Sequence, residues 1–190
     1  RIGRGTRPFF RTRGLSPTTM IIYKDAFNGD EMCSDCYPMT EEGNGVMFRV
    51  ESKTITKGPI SVDIGANASA EGDDGDGVDD AAETVNNVVD AFRLQSMPFP
   101  NKKSYMGYLK DFLKRTKAHL EATKPERVAG FQAESQAFIK DKILPNFDDF
   151  SFYSGESMDP EAGMMMMFYE GENPNPFFYF FKDACVEEKC

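Results

Sequence analysis

The sequence predicts an α+β protein with a mainly β-sheet core, an inserted α-helical hairpin and a flexible acidic loop. Three observations predict it. Runs rich in β-branched and aromatic residues stand near both ends of the chain, two amphipathic segments lie between them, and one stretch is dominated by acidic residues and glycine. Strands, then helices, then strands are typical of α+β folds. With 190 residues and 40% hydrophobic content, the chain can form one domain with a substantial core.

The first nineteen residues differ in charge from the rest of the chain. Residues 1–19 hold five Arg and no Asp or Glu, whereas the whole chain has a formal net charge of −9. The segment superficially resembles a transit peptide but lacks the apolar core of a secretory signal. Because an apolar run follows Met20, we interpret residues 1–19 as an extraneous Arg-rich leader and residues 20–190 as the single domain. Targeting is the alternative interpretation.

Charge and motif content disfavour several classes of function. An acidic domain is a poor partner for DNA or an anionic membrane, and no apolar run reaches the roughly 20 residues of a membrane-spanning helix. No glycine-rich nucleotide-binding motif is present. His119 is the single histidine, which disfavours hydrolytic triads and catalytic zinc sites, and we expect it on the surface or partly packed. We therefore expect a soluble, intracellular globular protein.

Strand-like patterns occur on both sides of the helical region. Apolar alternation or aromatic enrichment predicts strands over the following ranges: Met20–Phe27, Val46–Glu51, Phe147–Tyr153, Met164–Tyr169 and Phe177–Lys182. Residues 171–176, GENPNP, predict a turn between the last two strands. Periodicity leaves Val85–Met97 open between helix and strand. The run of four methionines at 164–167 predicts two side chains on each face of a strand.

An acidic stretch interrupts the chain before the helices. Seven of the thirteen residues from Glu71 to Glu83 are acidic and none is basic, so we predict a mobile loop over residues 57–84. The glycine positions do not fit the calcium loop of an EF-hand. A solvated linker and a weak calcium site are the two alternatives, and no tightly bound cofactor is expected. The calcium site would use Asp73, Asp74, Asp76, Asp79 and Asp80.

Two amphipathic helices are predicted over residues 101–145. Apolar residues at helical spacing predict the first over Lys102–Ala122. The second has Thr123 as candidate N-cap, Glu126 at the capping-box position and Pro145 at its end. The break between the helices is short, which predicts an antiparallel hairpin.

The first helix carries a basic face on an acidic protein. Between Lys102 and Arg127 there are eight Lys or Arg and three Asp or Glu. Such a face can bind an acidic protein partner, and a solvated helix face is the alternative. The aromatic residues lie on the opposite face, which argues against nucleic acid. The candidate partner residues are Lys110, Lys114, Arg115 and Lys117.

The four cysteines allow several chemistries. Cys33 and Cys36 have the C-x-x-C spacing of zinc sites and of redox pairs. A structural zinc needs two further ligands that the sequence does not supply, so we expect no zinc site. A thiol antioxidant built on Cys33 and Cys36 and two ordinary thiols in a loop both stay open. Cys190, at the end of the sequence, could form an intermolecular disulfide on oxidation.

Several motifs together resemble one family. Residues 64–72, IGANASAEG, and residues 147–156, FDDFSFYSGE, are similar to the two signatures of the translationally controlled tumour protein family. The start MIIYKD at 20–25, the segment DEM at 30–32 and the end EKC at 188–190 also match. The resemblance covers residues 20–190. Ser154 departs from the usual apolar residue or Thr, and Cys33 and Cys36 stand where apolar residues are frequent.

The resemblance implies a fold and a set of partners. The family fold is a β core similar to Rab-exchange and chaperone proteins, with a helical hairpin and an acidic loop, and it favours a strand for Val85–Met97. Family members are described as calcium-binding, tubulin-associated, growth-promoting and anti-apoptotic proteins that bind Rheb-type small GTPases. The implied GTPase contact is Glu31 with neighbouring Asp30, and the alternative for Glu31 is a loop-surface carboxylate without a partner. The tubulin region covers about 85–129.

The same resemblance implies a cytoplasmic location, with export that needs no signal peptide in some cases. The implied alternative function is that of a histamine-releasing, cytokine-like factor whose active form is a dimer linked through Cys190. We otherwise expect a monomer that is not an enzyme and that acts by binding tubulin, a GTPase or other cytosolic proteins.

Overall fold

The computed structural model describes residues 19–57 and 83–190. In these ranges the strands are β1 Ile21–Asp25, β2 Glu31–Ser34, β3 Met39–Glu42, β4 Met47–Glu51, β5 Thr54–Lys57, β6 Glu83–Asn86, β7 Gln95–Ser96, β8 Ser151–Ser154, β9 Met165–Phe168, β10 Phe177–Phe181 and β11 Cys185–Lys189. The α-helices are α1 Asn87–Ala91, α2 Lys102–Thr123 and α3 Val128–Phe138. The leader, apart from Thr19, lies outside the described residues.

The strands form three antiparallel sheets. The largest has six strands in the order β3-β4-β10-β9-β8-β7. A second has the order β11-β1-β2, in which Ile22 pairs with Ser34 on one side and with Glu188 on the other. The third is the β5–β6 ladder. The prediction of an α+β fold with a β-sheet core is therefore confirmed.

The six-stranded sheet lies between two apolar layers. Strand β10, with the sequence FFYFF, is buried along its whole length. Phe178 and Phe180 pack with Tyr23 of β1 and Cys33 of β2, whereas the alternate residues of β10 pack with the aromatic face of α2. Both faces of β10 are covered, which is consistent with its five aromatic residues.

The methionine run alternates within β9, but Met164 precedes the strand, so the prediction of two side chains on each face is wrong for that residue. Met166 packs in the cluster that contains the helices, and Met165 packs in the cluster that contains β1 and β2. Met167 lies at the edge of the second cluster. The run therefore fills the core on both sides of β9, as its position in a strand predicts.

Helix α2 begins and packs as its sequence indicates. The Asn101 side chain caps it by accepting a hydrogen bond from the Ser104 backbone N–H at 2.8 Å. Its buried face repeats at helical spacing and consists of Tyr105, Leu109, Phe112, Thr116 and Leu120. Helix α3 buries Phe131 and Phe138, and a π-helical turn at Ile139–Ile143 continues it. The predicted helical pair is present.

The connection between the helices differs from the prediction. Thr123 is not an N-cap, because it is the last residue of α2 and its hydroxyl donates to the His119 carbonyl oxygen at 2.8 Å. A 3-10 turn at Pro125–Arg127 follows, in which Glu126 makes no capping hydrogen bond. The π-helical turn ends the hairpin just before Pro145. The Thr123 hydroxyl satisfies a carbonyl of its own helix, so it does not start the next one.

The strand that the family resemblance favours over Val85–Met97 is wrong. The chain completes β6 at Asn86, forms the short helix α1 and returns to a two-residue strand, β7. Asn86 Oδ1 accepts hydrogen bonds from the backbone N–H groups of Val88 and Val89, at 2.9 Å and 3.3 Å. This cap starts a helical turn despite the β-branched sequence.

Two further boundaries are corrected. The bounds predicted for the acidic loop, residues 57–84, are too wide at both ends. Lys57 pairs with Glu83 and Thr56 pairs with Thr84 in the β5–β6 ladder. The rest of that loop, residues 58–82, lies outside the described residues. The strand predicted from Phe147 begins only at Ser151, after a 3-10 turn at Phe147–Asp149. Within the described ranges, no helix is long and apolar enough to cross a membrane.

Candidate functional site around Glu31

Glu31 is an exposed carboxylate on an edge strand. It is the first residue of β2, the outer strand of the β11-β1-β2 sheet, and its side chain is 51% exposed. The Lys24 ammonium lies 3.6 Å from Glu31 but only 2.7 Å from Glu188. The hydrogen bond to Glu188 is the main reason that the pKa of Lys24 is raised. Glu31 is thus only partly neutralised by its neighbour.

The residues on either side of Glu31 are fixed by the fold. Met32 is buried between the sheets, with 2% of its surface exposed. The Asp30 carboxylate accepts hydrogen bonds from the Ser157 backbone N–H at 3.1 Å and from the Ser157 hydroxyl at 2.6 Å. A Cβ atom on Gly155 would overlap Asp30, so the 155–157 backbone approaches this closely only with glycine there. Asp30 is therefore committed to a structural contact.

A buried carboxylate organises the turn that precedes Glu31. Asp25 is 2% exposed, and its Oδ1 accepts hydrogen bonds from the backbone N–H groups of Phe27 and Asn28, at 2.7 Å and 3.2 Å. Its Oδ2 accepts one from the Gly163 backbone N–H at 2.6 Å. Burial raises the pKa of Asp25, and these hydrogen bonds oppose that rise. The turn between β1 and β2 is thereby tied to residues 155–163.

A small polar cleft of about 260 Å³ opens beside Glu31. Arg93, which has a positive φ of 50°, forms one wall and pairs with Glu156 at 2.6 Å. The pair is exposed, so it is weakly held and can exchange partners. The cleft is lined by Gly29, Asp30, Glu31, Ala91, Phe92, Arg93 and Glu156. Glu31 and Glu156 are its exposed carboxylates, and Asp30 lies between them half-buried.

The predicted basic residues of α2 fall into two groups. Lys110 and Lys114 are exposed, and no acidic side chain lies within 4 Å of either in the part of the chain that the structure describes. Lys117 pairs with Glu121 at 3.6 Å. Lys103 was missed as a member of the face, although it is exposed and precedes Lys110 by two helical turns. The spacing 103, 110, 114 and 117 was visible in the sequence and could have identified it.

Arg115 does not belong to this free basic face. Its guanidinium donates to the Glu161 carbonyl oxygen at 2.6 Å and lies over the Phe27 ring, 4.5 Å from its centre. These contacts hold α2 against the β1–β2 turn. Arg115 is therefore held by contacts within the fold, unlike Lys110 and Lys114, and its role in a partner surface stays a prediction. His119 is partly packed against Phe27, as predicted.

The cysteines have different environments. Cys33 lies in β2 rather than in a loop, is fully buried and has a pKa raised to about 12 by burial. Cys36 is exposed in the following turn. Cys190 is exposed, and its backbone N–H donates to the Met20 carbonyl oxygen at 2.9 Å. A buried thiol with a raised pKa is a poor nucleophile, which argues against a redox pair of Cys33 and Cys36.

The structure does not test the predicted calcium site. Asp73, Asp74, Asp76, Asp79 and Asp80 lie outside the described residues. Among residues 19–57 and 83–190, no three His, Cys, Asp or Glu side chains converge in an arrangement that could hold a metal ion.

Comparison with known proteins places the chain in a family. The sequence profile of the translationally controlled tumour protein family matches residues 20–186. Homologues of that protein from Yarrowia lipolytica and Schizosaccharomyces pombe are 46% and 44% identical, and each match covers 90% of this chain and 99% of the relative.

Solved structures agree with this assignment. The structure of the tumour-associated protein p23fyp from Schizosaccharomyces pombe superposes with a TM-score of 0.73 at 44% identity, covering 90% of this chain and 99% of that one. A Caenorhabditis elegans structure, at 24% identity and a TM-score of 0.62 over 90% of this chain and 98% of its own, shares the fold. The chain belongs to the translationally controlled tumour protein family.

Proposed function

We propose that the protein acts by binding rather than by catalysis, and that Glu31 contacts a Rheb-type small GTPase in support of cell growth and survival. The observation that carries the proposal is the exposed Glu31 carboxylate between two fixed neighbours, Asp30 and Met32. Such a pre-positioned charge binds a partner without the entropic cost of ordering a loop.

Glu31 also allows a clean test, because its side chain is not part of the core. Among the residues that the structure describes, its one ion pair is with Lys24, which keeps a closer partner in Glu188 when Glu31 is removed. An exposed pair of this kind contributes at most about 1 kcal/mol to stability. Glu31→Ala and Glu31→Gln should therefore fold normally, and any loss of binding can be attributed to the contact.

The test is calorimetric titration of the full chain with a Rheb-type GTPase. We expect Glu31→Ala and Glu31→Gln each to weaken binding by about tenfold or more, since a charged contact at an interface contributes roughly 1.4 kcal/mol or more. Glu51→Ala, which removes an exposed carboxylate from strand β4 of the six-stranded sheet, is the matched control. Equal affinity of the Glu31 variants and wild type, or no binding at near-millimolar protein, would contradict the proposal.

The basic face of α2 supports a second binding function, with tubulin. Lys103, Lys110, Lys114 and Lys117 lie on the face of α2 opposite its buried residues, where they suit the acidic surface tails of tubulin. Lys110→Glu with Lys114→Glu should weaken microtubule co-sedimentation, and wild-type binding should fall as salt rises. Lys53→Glu with Lys189→Glu changes the charge equally on exposed sites elsewhere. Salt-insensitive binding, or equal losses in both double variants, would count against this face.

Other functions stay proposals with tests of their own. Weak calcium binding at Asp73–Asp80 predicts heat in a millimolar calcium titration that is lost when these aspartates become asparagine.

A secreted, Cys190-linked dimer predicts that Cys190→Ser loses activity in an oxidised preparation, and exposure of Cys190 supports the reactivity of this thiol. We propose a cytoplasmic location, which cell fractionation tests.

A further inference from the structure

We propose that Ser157 is a positioning residue for the Glu31 site, although it lies 126 positions further along the chain. Its hydroxyl and backbone N–H hold Asp30, and Asp30 holds the start of β2 in the position that presents Glu31. The inference rests on the proposed function of Glu31 as a GTPase contact, and it adds the element that controls that contact.

Three side chains form the contact, which we call the Ser157 latch: Ser157, Asp30 and Asn28. Both donors of Ser157, its hydroxyl and its backbone N–H, reach the same oxygen, Asp30 Oδ2. Asn28 Nδ2 donates to Asp30 Oδ2 at 3.0 Å and to the Ser157 hydroxyl at 2.9 Å. Asn28 Oδ1 accepts from the Asp30 backbone N–H at 3.0 Å. The Asp30 carboxylate thus receives three hydrogen bonds, which together fix its direction.

The latch matters because the β1–β2 ladder is irregular at this position. The register of the two strands shifts between Tyr23 and Lys24, at the residue that faces Glu31. At such a shift the ladder of hydrogen bonds is locally disrupted, so strand pairing fixes the positions of the adjacent residues less firmly. Beyond the ladder, a hydrogen bond from the Asp25 N–H to the Asp30 carbonyl oxygen at 2.8 Å and the latch hold the residue before Glu31.

The segment that carries Ser157 is itself anchored on both sides. Before it, Gly155 lies directly against Asp30. After it, the Gly163 N–H donates to the buried Asp25 carboxylate. Ser157 is exposed between these anchors. It can therefore be changed without disturbing the core, and it transmits the change to Asp30.

The experiment is a double-mutant cycle between Ser157 and Glu31, measured as affinity for the GTPase with the full chain. Ser157→Ala should weaken binding about threefold to tenfold in wild type and have no effect in the Glu31→Ala background, because the latch acts only through Glu31. Ser151→Ala, an exposed serine of β8, is the matched control. Equal losses from Ser157→Ala in both backgrounds, or no loss in wild type, would overturn the proposal.

Charge at position 157 provides a rescue test. Ser157→Asp puts a second carboxylate against Asp30 and should weaken binding more than Ser157→Ala does. Adding Asp30→Asn removes the repulsion and should recover most of that loss. If Ser157→Asp binds like wild type, or the double variant is no better than the single one, the latch is wrong.

A measurement without partner separates failure of the latch from failure of the proposed function. Hydrogen exchange of the amides at residues 28–32 in the free protein should accelerate in Ser157→Ala and not in Ser151→Ala. Unchanged exchange would refute the latch whatever the GTPase does. Faster exchange together with a Glu31→Ala variant that binds like wild type would keep the latch as a contact and reject only the function of Glu31.

Discussion

Arg127 joins three parts of the chain through one guanidinium group. Its Nε lies 3.0 Å from Asp183 Oδ2, and its Nη1 lies 2.8 Å from Glu134 Oε2. The Asp183 side chain is only 7% exposed, and burial raises its pKa although Arg127 opposes the rise. The residue therefore ties the turn between α2 and α3 to the segment between β10 and β11.

Arg127→Ala should lower the free energy of unfolding by about 2–4 kcal/mol, because it removes the guanidinium that pairs with the buried Asp183 carboxylate and leaves only the more distant charges of Lys124 and Lys182. A raised pKa means that the ionised form is unfavourable in the fold, so protonation relieves the cost. The deficit relative to wild type should therefore shrink as pH falls through the raised pKa of Asp183. Urea unfolding across pH measures it, with Arg93→Ala at an exposed pair as the control. A deficit independent of pH would contradict this account.

Cys33 illustrates how burial decides the chemistry of a thiol. We expect Cys36 and Cys190 to react rapidly with a disulfide reagent in the native protein and Cys33 to react only after unfolding, since burial holds its pKa near 12. Counting thiols in Cys36→Ser and Cys190→Ser variants assigns each reaction. Rapid reaction of Cys33, or peroxide consumption that depends on it, would restore the antioxidant hypothesis.

Element boundaries were predictable where local periodicity sets them. The predicted range of α2 differs from the observed one by a single residue, because the apolar repeat that predicts it lies within the helix itself. Strands β2 and β11 were not predicted, since EMCS and CVEEK have no clear alternation. Pairing with β1, which lies far from β11 in sequence, makes both of them strands.

Strand β10 should be the least tolerant element, because both of its faces are core. Phe178→Ala is expected to cost about 3–5 kcal/mol, as for other large-to-small changes at fully buried aromatic residues. Tyr169→Ala, at a side chain that is 55% exposed beyond the end of β9, should change stability by less than about 1 kcal/mol. Chemical denaturation compares the two. Similar losses of stability at both positions would contradict the packing of the six-stranded sheet between two apolar layers.

The candidate site depends on a contact between two segments that are distant in sequence. The β1–β2 turn and residues 155–163 meet through Asp25, Asp30, Ser157 and Gly163. The family resemblance pointed to Glu31 and Asp30, but it could not separate their roles, because only the long-range contact to Ser157 distinguishes a structural carboxylate from a free one. The same holds for Arg115, which looked like its lysine neighbours in sequence and packs on Phe27 in the fold.

An amide-resolved NMR titration of the full chain with a Rheb-type GTPase, repeated with Glu31→Ala, would decide whether Glu31 is the GTPase contact. We expect shifts that cluster at Glu31, along β2 and around the cleft wall at Arg93, and that disappear in the variant. Shifts that map instead to Lys110 and Lys114 on α2, or that survive unchanged in Glu31→Ala, would contradict the assignment of the GTPase contact to Glu31.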